Sequence, residues 1–378
     1  MSWAGAWMAA MQRPRSGFEN LNWSEEGFHD HTLRQVVRLG AGGAQLRVRL
    51  SNLYGTAPLR PAGATVARAG EGAAIVPGTV RILRFGGAVP AGGTATSEPV
   101  ELPVEPQDRL AVTLYFDAPT GPATCHSIAC ATTYRACGDR HSARDFRETS
   151  HSWYYLNGVE VSGRVPAVVT LGDSITDGAL STPDADHRYP DLLAARLRAA
   201  GRPMVVLNAG IGGNRVLNDS VCFGERAVSR FRRDVAAQPG ARTVIVQLGT
   251  NDIGLSEQDF PPCTVPNPEV GAEELIDGLR VLVEVARVYG LRIVGGTIPP
   301  LGTGFHTERG EKVRQDVNHW IRAGGAFDAV ADFDRALADP QDPERLRPAY
   351  DAGEDGGHLH PNDAGYQAMA DAVDLDSL

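Results

Sequence analysis

Lysine is almost missing from this sequence of 378 residues, in which Lys312 is the only one. Nearly all of the 36 Lys and Arg residues are therefore arginines, which we interpret as codon bias rather than function. The net charge is −10 at pH 7. Such an acidic balance disfavours nucleic acid as a partner. No run of about 18 apolar residues occurs, so the sequence predicts no membrane-spanning helix.

Signal-peptide and zinc-site patterns are also lacking. Residues 1–17 have neither the basic region nor the long apolar region of a signal peptide. The sequence therefore predicts either a cytoplasmic protein or a secreted one whose signal peptide has been removed. Its five cysteines include no CxxC spacing, which disfavours a zinc site, and we expect neither metal nor cofactor. A disulfide between Cys222 and Cys263 stays open at this point.

The pattern over residues 1–163 is that of a β protein. Short alternating runs are separated by Gly, Pro and Asn, which is typical of an antiparallel sandwich or jelly roll. We therefore predict an all-β accessory domain here. The clearest runs are QLRVRLSNLYG (45–55), TVRILRFGG (79–87), TSEPVELPV (96–104) and RLAVTLYFD (109–117).

From residue 164 to 378 the pattern changes to strands alternating with helices. Val- and Ile-rich runs alternate with segments that repeat apolar residues every three or four positions. This alternation predicts an α/β domain with a five-stranded parallel sheet covered by helices on both faces. Ligand sites in such sheets lie beyond the carboxyl ends of the strands. The apolar runs are 166–172, 203–209, 243–249, 291–297 and 327–333.

Polar, Gly-rich motifs follow the first three of these strands, and a fourth lies near the end of the sequence. Each motif alone is typical of a turn or a helix cap. Their occurrence together, three of them at one predicted sheet edge, indicates a functional site. The motifs are GDSITDG (172–178), NAGIGGNR (208–215), LGTND (248–252) and EDGGHLHPNDAGY (354–366).

These residue types suit acyl transfer. A serine hydroxyl becomes a nucleophile when a neighbouring base takes its proton, and Ser174 is the candidate. The base is usually a histidine that a carboxylate orients. The oxyanion of the tetrahedral intermediate needs fixed donors, which the Ser174 N–H, the Gly213 N–H and the Asn251 amide can supply.

The four motifs resemble those of the SGNH or GDSL hydrolases. The resemblance implies Ser174 as nucleophile, Gly213 and Asn251 as oxyanion residues, and His360 as catalytic base. It also implies a flavodoxin-like, three-layer catalytic domain that hydrolyses esters without a metal. Segments 230–254 and 314–337, with the opening WAGAWMAAMQ, resemble an actinobacterial, secreted-type subgroup that carries a β-rich N-terminal domain.

One position departs from the family pattern. The family usually has Asp three residues before the catalytic His, but Gly357 stands three residues before His360. Either Asp355 reaches His360 from a longer loop, or His358 is the base with Asp355 at the usual spacing. A third alternative is a Ser–His dyad in which a backbone carbonyl orients the imidazole.

We expect a serine hydrolase that cleaves carboxylic esters with short or medium acyl groups, such as acetyl groups on a carbohydrate or natural product. An acyltransferase built on the same residues is one alternative, and a non-catalytic carbohydrate-binding protein is another. The partner is a small-molecule or carbohydrate ester. The pH–rate profile should show one limb near the ordinary pKa of histidine, because the imidazole must be neutral to act as a base.

Overall fold

The computed structural model describes residues 2–15, 22–258 and 260–378. The chain divides into two compact units, residues 1–165 and 166–378. Each unit has its own sheets and buried apolar residues.

The first unit is built from antiparallel strands, as predicted. One sheet has the order β1-β13-β3-β6, with β7 also paired to β3, and a six-stranded sheet has the order β11-β10-β2-β8-β4-β5. Strands β9 and β12 form a separate pair. The strands are β1 (Trp3–Met8), β2 (His31–Arg38), β3 (Gly43–Ser51), β4 (Gly63–Arg68), β5 (Arg81–Ile82), β6 (Thr94–Thr96), β7 (Val100–Val104), β8 (Arg109–Phe116), β9 (Cys125–His126), β10 (Thr133–Cys137), β11 (Glu148–Ser150), β12 (Trp153–Tyr154) and β13 (Leu156–Ser162).

Strand β3 shows why these runs form sheet. Leu46, Val48 and Leu50 alternate along it and are buried. The intervening Arg47 lies opposite Glu160 of β13, and its guanidinium contacts that carboxylate at 2.6 Å. Opposite charges on facing positions stabilise a strand pair and fix its register.

The expected strand over 79–87 is largely wrong. Only Arg81 and Ile82 form a strand there, and this strand, β5, lies at the edge of its sheet and pairs with β4 alone among the described strands. Ile82 is 64% exposed, so its apolar side chain does not belong to the core.

The second unit contains the predicted α/β fold. Its strands are β14 (Ala167–Gly172), β15 (Val205–Gly210), β16 (Ala241–Gln247), β17 (Arg292–Gly296), β18 (Ala329–Ala331), β19 (Ala338–Asp339) and β20 (Asp342–Leu346). Its helices are α1 (Ser174–Asp177), α2 (Tyr189–Ala199), α3 (Ala227–Phe231), α4 (Thr250–Ser256), α5 (Ala272–Val288), α6 (Gly302–Phe305), α7 (Glu308–Ala323), α8 (Phe333–Leu337) and α9 (Asp363–Ala372). A π-helix, Arg232–Ala236, continues α3, and 3₁₀ turns cover Glu354–Gly356 and Leu375–Ser377.

The parallel sheet has the order β15-β14-β16-β17-β18. This is the flavodoxin-like order, in which the strand order reverses next to the first strand, and ligands bind beyond the carboxyl ends of the strands at that point. Every residue of β14 is buried, as expected for a central strand covered on both faces. The predicted flavodoxin-like, five-stranded parallel sheet is therefore confirmed. The residues that follow β14, from Asp173 onward, lie at the carboxyl end of the sheet.

Helix α5 illustrates how the helices pack. Leu275, Leu279 and Leu282 recur on one face and are buried, while charged residues occupy the other. Burial of such an apolar stripe contributes about 25 cal/mol for each Å² removed from water. Packing of this kind holds the sheet and its carboxyl edge rigid.

Candidate active site

Ser174 lies at a tight strand-to-helix turn. Strand β14 ends at Gly172, Asp173 caps α1, and Ser174 is the first residue of that helix. The Oδ1 atom of Asp173 accepts a hydrogen bond from the Ile175 N–H at 3.0 Å. A Cβ atom at position 172 would lie 1.9 Å from the Thr176 hydroxyl, so the turn requires glycine there. Ser174 is buried, with 5% of its surface exposed.

His360 is hydrogen-bonded to the serine. Its Nε2 atom lies 2.8 Å from the Ser174 Oγ, and its Nδ1 atom lies 3.3 Å from the Gly356 carbonyl oxygen. A carbonyl only accepts, so Nδ1 carries the proton and donates it. The lone pair of Nε2 is then free to accept the serine proton, which is the tautomer that a base requires.

Burial lowers the pKa of His360 to about 4, although the bond to the Gly356 carbonyl acts in the opposite direction. The imidazole is therefore neutral at pH 7. A neutral imidazole next to an alcohol is competent to take its proton without prior deprotonation.

The carboxylate expected from the sequence is not at the ring. Asp355 is exposed. Within the described residues, His360 Nδ1 bonds to the carbonyl of Gly356 instead. The 3₁₀ turn Glu354–Gly356, followed by the left-handed Gly357, directs the backbone of this loop toward His360 and the Asp355 side chain toward solvent. This arrangement corresponds to the third alternative, the dyad with a backbone carbonyl, and not to the orienting role expected of Asp355.

His358 lies elsewhere in the same loop. Its Nδ1 atom contacts Asp351 Oδ2 at 2.6 Å, and its backbone is left-handed, with φ 55°. The hydroxyl of Ser174 is bonded to His360, so the structure brings that histidine, and not His358, to the serine.

The turn that contains Gly213 is tied to the serine helix. The Ile211 N–H donates to the Gly172 carbonyl at 3.1 Å, and the Gly212 N–H donates to Asp177 at 3.0 Å. Gly213 has φ 72°, and a Cβ atom there would lie 2.3 Å from the Phe223 ring. Glycine is thus required both by the backbone and by the close approach of Phe223.

Asn251 comes to this turn from the next strand. It is the second residue of α4 and is buried, and its Nδ2 atom lies 3.3 Å from the Asn214 carbonyl oxygen. In the part of the chain that the structure describes, the N–H groups of Ser174 and Gly213 have no acceptor. Three donors therefore belong to segments that are hydrogen-bonded to one another at one sheet edge.

Two buried residues that the sequence interpretation missed hold this edge together. Both carboxylate oxygens of Asp252 accept backbone hydrogen bonds, from Val216 at 2.9 Å and Leu217 at 3.0 Å. Burial raises the pKa of Asp252 to about 6 despite these donors. Asp252 directly follows Asn251 in the GTND motif, and that position was the available signal.

Arg230 is the second such residue. Its fully buried guanidinium donates to the carbonyls of Ala209 at 2.7 Å and Gly172 at 3.0 Å and to Asn214 Oδ1 at 3.0 Å. It thus joins the ends of β14 and β15 to the Gly213 turn. Nothing in its helical sequence pattern distinguished it from a surface arginine, because only the fold brings the two strand ends to it.

Cys222 and Cys263 form the disulfide that the sequence left open. The bond joins the segment after the Gly213 turn to the segment after α4. The Ser220 hydroxyl donates to the Cys263 carbonyl at 2.7 Å, and Asn214 Nδ2 donates to the Phe223 carbonyl at 2.8 Å. Phe223, which packs on Gly213, is therefore held from both sides.

Within residues 2–15, 22–258 and 260–378, no group of three or more His, Cys, Asp or Glu side chains is arranged to hold a metal ion. The helices of those same residues include none that is long and apolar enough to cross a membrane.

Residues 170–368, just over half of the chain, match the model of the GDSL-like Lipase/Acylhydrolase family. With the parallel sheet and the serine–histidine pair at its edge, this match defines an ester hydrolase. The chain belongs to the GDSL-like Lipase/Acylhydrolase family. No curated protein matches the sequence.

The chain also matches, over part of its length, solved structures that are described as esterases and lipases. Axe2, an acetylxylan esterase from Geobacillus stearothermophilus, is 23% identical, with 56% of this chain and 93% of that chain covered and a TM-score of 0.41. A GDSL-like lipase from Bacteroides thetaiotaomicron VPI-5482 is 17% identical, with 56% and 87% covered and a TM-score of 0.40. The acetyl xylan esterase AlAXEase is 18% identical, with 55% and 96% covered and a TM-score of 0.40.

Proposed function

We propose that the protein hydrolyses carboxylic esters through an acyl-enzyme on Ser174, with His360 as the base. The observation that carries the proposal is the 2.8 Å contact between Ser174 Oγ and His360 Nε2. The opposite ring nitrogen bonds to a carbonyl, which supports the tautomer that accepts the serine proton. The pair acts as a dyad, with the Gly356 carbonyl in place of a carboxylate.

In acylation, the Ser174 hydroxyl proton passes to His360 Nε2 as Oγ bonds to the ester carbonyl carbon. The tetrahedral intermediate collapses with loss of the bond to the alcohol oxygen, which takes the proton from Nε2. Water then attacks the acyl-enzyme, gives a proton to the same nitrogen, and releases the acid and the free serine. Each half-reaction uses His360 first as base and then as acid.

The oxyanion hole in this proposal is formed by the N–H groups of Ser174 and Gly213 and the side-chain amide of Asn251. The hydrogen bonds that tie their segments together support a preorganised arrangement, since the donors need no rearrangement when charge develops. Loss of one such donor typically costs about 3 kcal/mol in activation free energy.

The proposed substrates are esters with short or medium acyl groups, including acetyl groups on a carbohydrate or natural product. A cavity of about 280 Å³ supports hydroxyl groups on the alcohol part of such a substrate, because Thr303, His306 and Glu344 are among its lining residues. It adjoins the loop of His360, since the Thr303 N–H donates to the Gly357 carbonyl at 3.1 Å.

We further propose that residues 1–163 form an accessory domain and 164–378 the catalytic domain, and that the chain falls in the actinobacterial, secreted-type subgroup. The disulfide between Cys222 and Cys263 supports an oxidising compartment. Counting thiols in the denatured, unreduced protein tests whether this disulfide forms. Three free thiols are expected, and five would contradict it.

Labelling with a fluorophosphonate followed by peptide mapping tests the nucleophile. The label should attach to Ser174 and be lost in Ser174→Ala, together with hydrolysis of p-nitrophenyl acetate. Within the part of the chain that the structure describes, the Ser174 hydroxyl bonds only to His360, so the variant should fold as the wild type does. A label at another serine would contradict the assignment of Ser174 as the nucleophile. Adding an alcohol acceptor at fixed acyl donor separates hydrolysis from acyl transfer, since a transferase gives the new ester.

A further inference from the structure

An exposed apolar side chain, Leu180, lies beside the loop that carries His360. Leu180 is 45% exposed. A Cβ atom built at Gly356 would lie 2.7 Å from Leu180 Cδ1 and 3.5 Å from His360 Cβ. Both side chains therefore approach Gly356, whose carbonyl is the one that holds the imidazole. Leu180 thus borders the site on the histidine side.

The backbone of Leu180 is held in an unusual conformation. Its φ is 63°, in the left-handed region that bulky residues rarely adopt. Such conformations persist where the surroundings enforce them, and they concentrate at functional sites. Here the Tyr366 hydroxyl donates to the Ala179 carbonyl at 2.6 Å, and the Thr182 N–H donates to Asp363 at 2.9 Å. Both anchors lie on α9, which begins three residues after His360.

The path of the proton shows on which side of the site the alcohol part of the ester lies. His360 Nε2 delivers its proton to the departing alcohol oxygen, so the alcohol part of the ester lies on the histidine side. The carbonyl oxygen faces the donors of Gly213 and Asn251 instead. Leu180 belongs to the side from which the alcohol leaves.

We infer that Leu180 contacts the alcohol part of the substrate and gives the enzyme its preference for esters whose alcohol is apolar next to the ester oxygen. This inference rests on the proposed function. Water cannot replace the apolar contact, so a larger alkyl or ring group that covers Leu180 gains affinity in the transition state. Sugar rings present apolar faces of C–H groups beside an acetylated oxygen.

The test compares two ester series with the wild type and Leu180→Asn. One series holds the acetyl group fixed and changes the alcohol from methyl to butyl to phenyl. The other holds p-nitrophenol fixed and lengthens the acyl group from acetyl to octanoyl. Asparagine adopts the left-handed conformation readily, so this variant should fold. We expect its kcat/KM ratio of butyl to methyl acetate to fall about tenfold, the size of effect that an apolar contact supplies. The acyl series should keep its wild-type ratios.

Two further variants and a control complete the design. Leu180→Gly, which also suits the backbone, should repeat the loss, and Leu180→Met should stay within about twofold of the wild-type ratio. Val288→Ala removes another apolar side chain, which is 82% exposed. Val288 ends α5 shortly before the start of β17, and so lies at the amino end of the sheet, opposite the site. It should change neither series.

An unchanged alcohol ratio in both Leu180→Asn and Leu180→Gly overturns the inference. So does a shift confined to the acyl series, which would place Leu180 at the acyl group. Failure of the proposed function is a different result: a wild-type enzyme that neither hydrolyses p-nitrophenyl acetate nor takes the phosphonate at Ser174.

Discussion

The Gly356 carbonyl oxygen lies 3.3 Å from His360 Nδ1, in the place where one alternative from the sequence put the Asp355 carboxylate. A carbonyl fixes the tautomer and orientation of the ring as a carboxylate does. It carries a partial charge only, so it stabilises the imidazolium less. The low pKa of His360 follows from burial that no full negative charge offsets.

The pH dependence of catalysis should therefore differ from the sequence-based expectation. The base must be neutral, and burial lowers the pKa of His360 to about 4 from the ordinary 6.5. The rate should stay level between pH 5 and 8 and fall as pH drops through about 4. Measuring kcat/KM for p-nitrophenyl acetate from pH 3.5 to 8 checks this. A limb centred near 6.5 would show that a nearby charge or solvent restores the ordinary pKa.

Substitutions in the histidine loop should separate the three residues named from the sequence. Because the ring bonds to a backbone carbonyl, Asp355→Asn should keep kcat within about twofold of the wild type. His358→Asn suits the left-handed backbone and should also remain active. His360→Ala should lose a factor on the order of 10⁴ or more, as removal of a base from a serine enzyme does.

Steady-state kinetics with p-nitrophenyl acetate provides the comparison for this set, with circular dichroism to confirm folding. A loss of a hundredfold or more in Asp355→Asn would mean that its carboxylate reaches the ring during turnover.

The oxyanion donors should affect kcat rather than KM, because their charge partner exists only in the transition state. Asn251→Ala should lower kcat by about 10²- to 10³-fold. Gly213→Ala should be more damaging, since its Cβ atom would lie 2.3 Å from the Phe223 ring. Gly224→Ala is the matched control: its φ is also positive, at 77°, but the nearest atom to a Cβ there is 3.4 Å away.

Kinetics and thermal unfolding of the two glycine variants separate backbone strain from the contact with Phe223. Equal kcat in Gly213→Ala and Gly224→Ala would count against a role for the Gly213 turn in catalysis.

Removing the Cys222–Cys263 bond should destabilise the fold. Its cysteines are 41 residues apart. A crosslink closing a loop of that length contributes roughly 4 kcal/mol in the chain-entropy model. Guanidinium unfolding of Cys222→Ser/Cys263→Ser should show a loss of this order, whereas Cys137→Ser, at an exposed thiol, should not change stability. Equal midpoints for the double variant and the wild type would contradict the prediction.

Stability should also depend on Asp173. Burial raises the pKa of Asp173 from 3.8 to about 7. A raised folded-state pKa stabilises the fold at low pH, and that contribution is lost as pH rises through about 7. At 1.4 kcal/mol per pKa unit, roughly 2 to 3 kcal/mol should disappear between pH 5 and 8. Asp173→Asn should remove this part of the pH dependence, as urea unfolding at several pH values will show; an unchanged slope would place the titration elsewhere.

The α/β pattern was predictable because periodicity is a local property. Runs such as 166–172 and 243–249 are mostly apolar without strict alternation, as in a strand that is covered on both faces. The short β5 was overestimated for the same reason, since Arg81 and Ile82 have strand-like neighbours but lie at a sheet edge. Local pattern does not report how many partners a strand has.

The sequence by itself determined the class of chemistry and the alternation of strands and helices. It singled out Ser174 because its motif follows a strand end that periodicity locates, and His360 because of its motif near the end of the sequence. The tertiary structure decided what surrounds them. Whether Asp355 or the Gly356 carbonyl meets the imidazole depends on the direction of one 3₁₀ turn, and the low pKa of His360 depends on burial by segments far apart in sequence. Hydrogen-bond direction and desolvation are properties of packed neighbours, which a linear pattern does not contain.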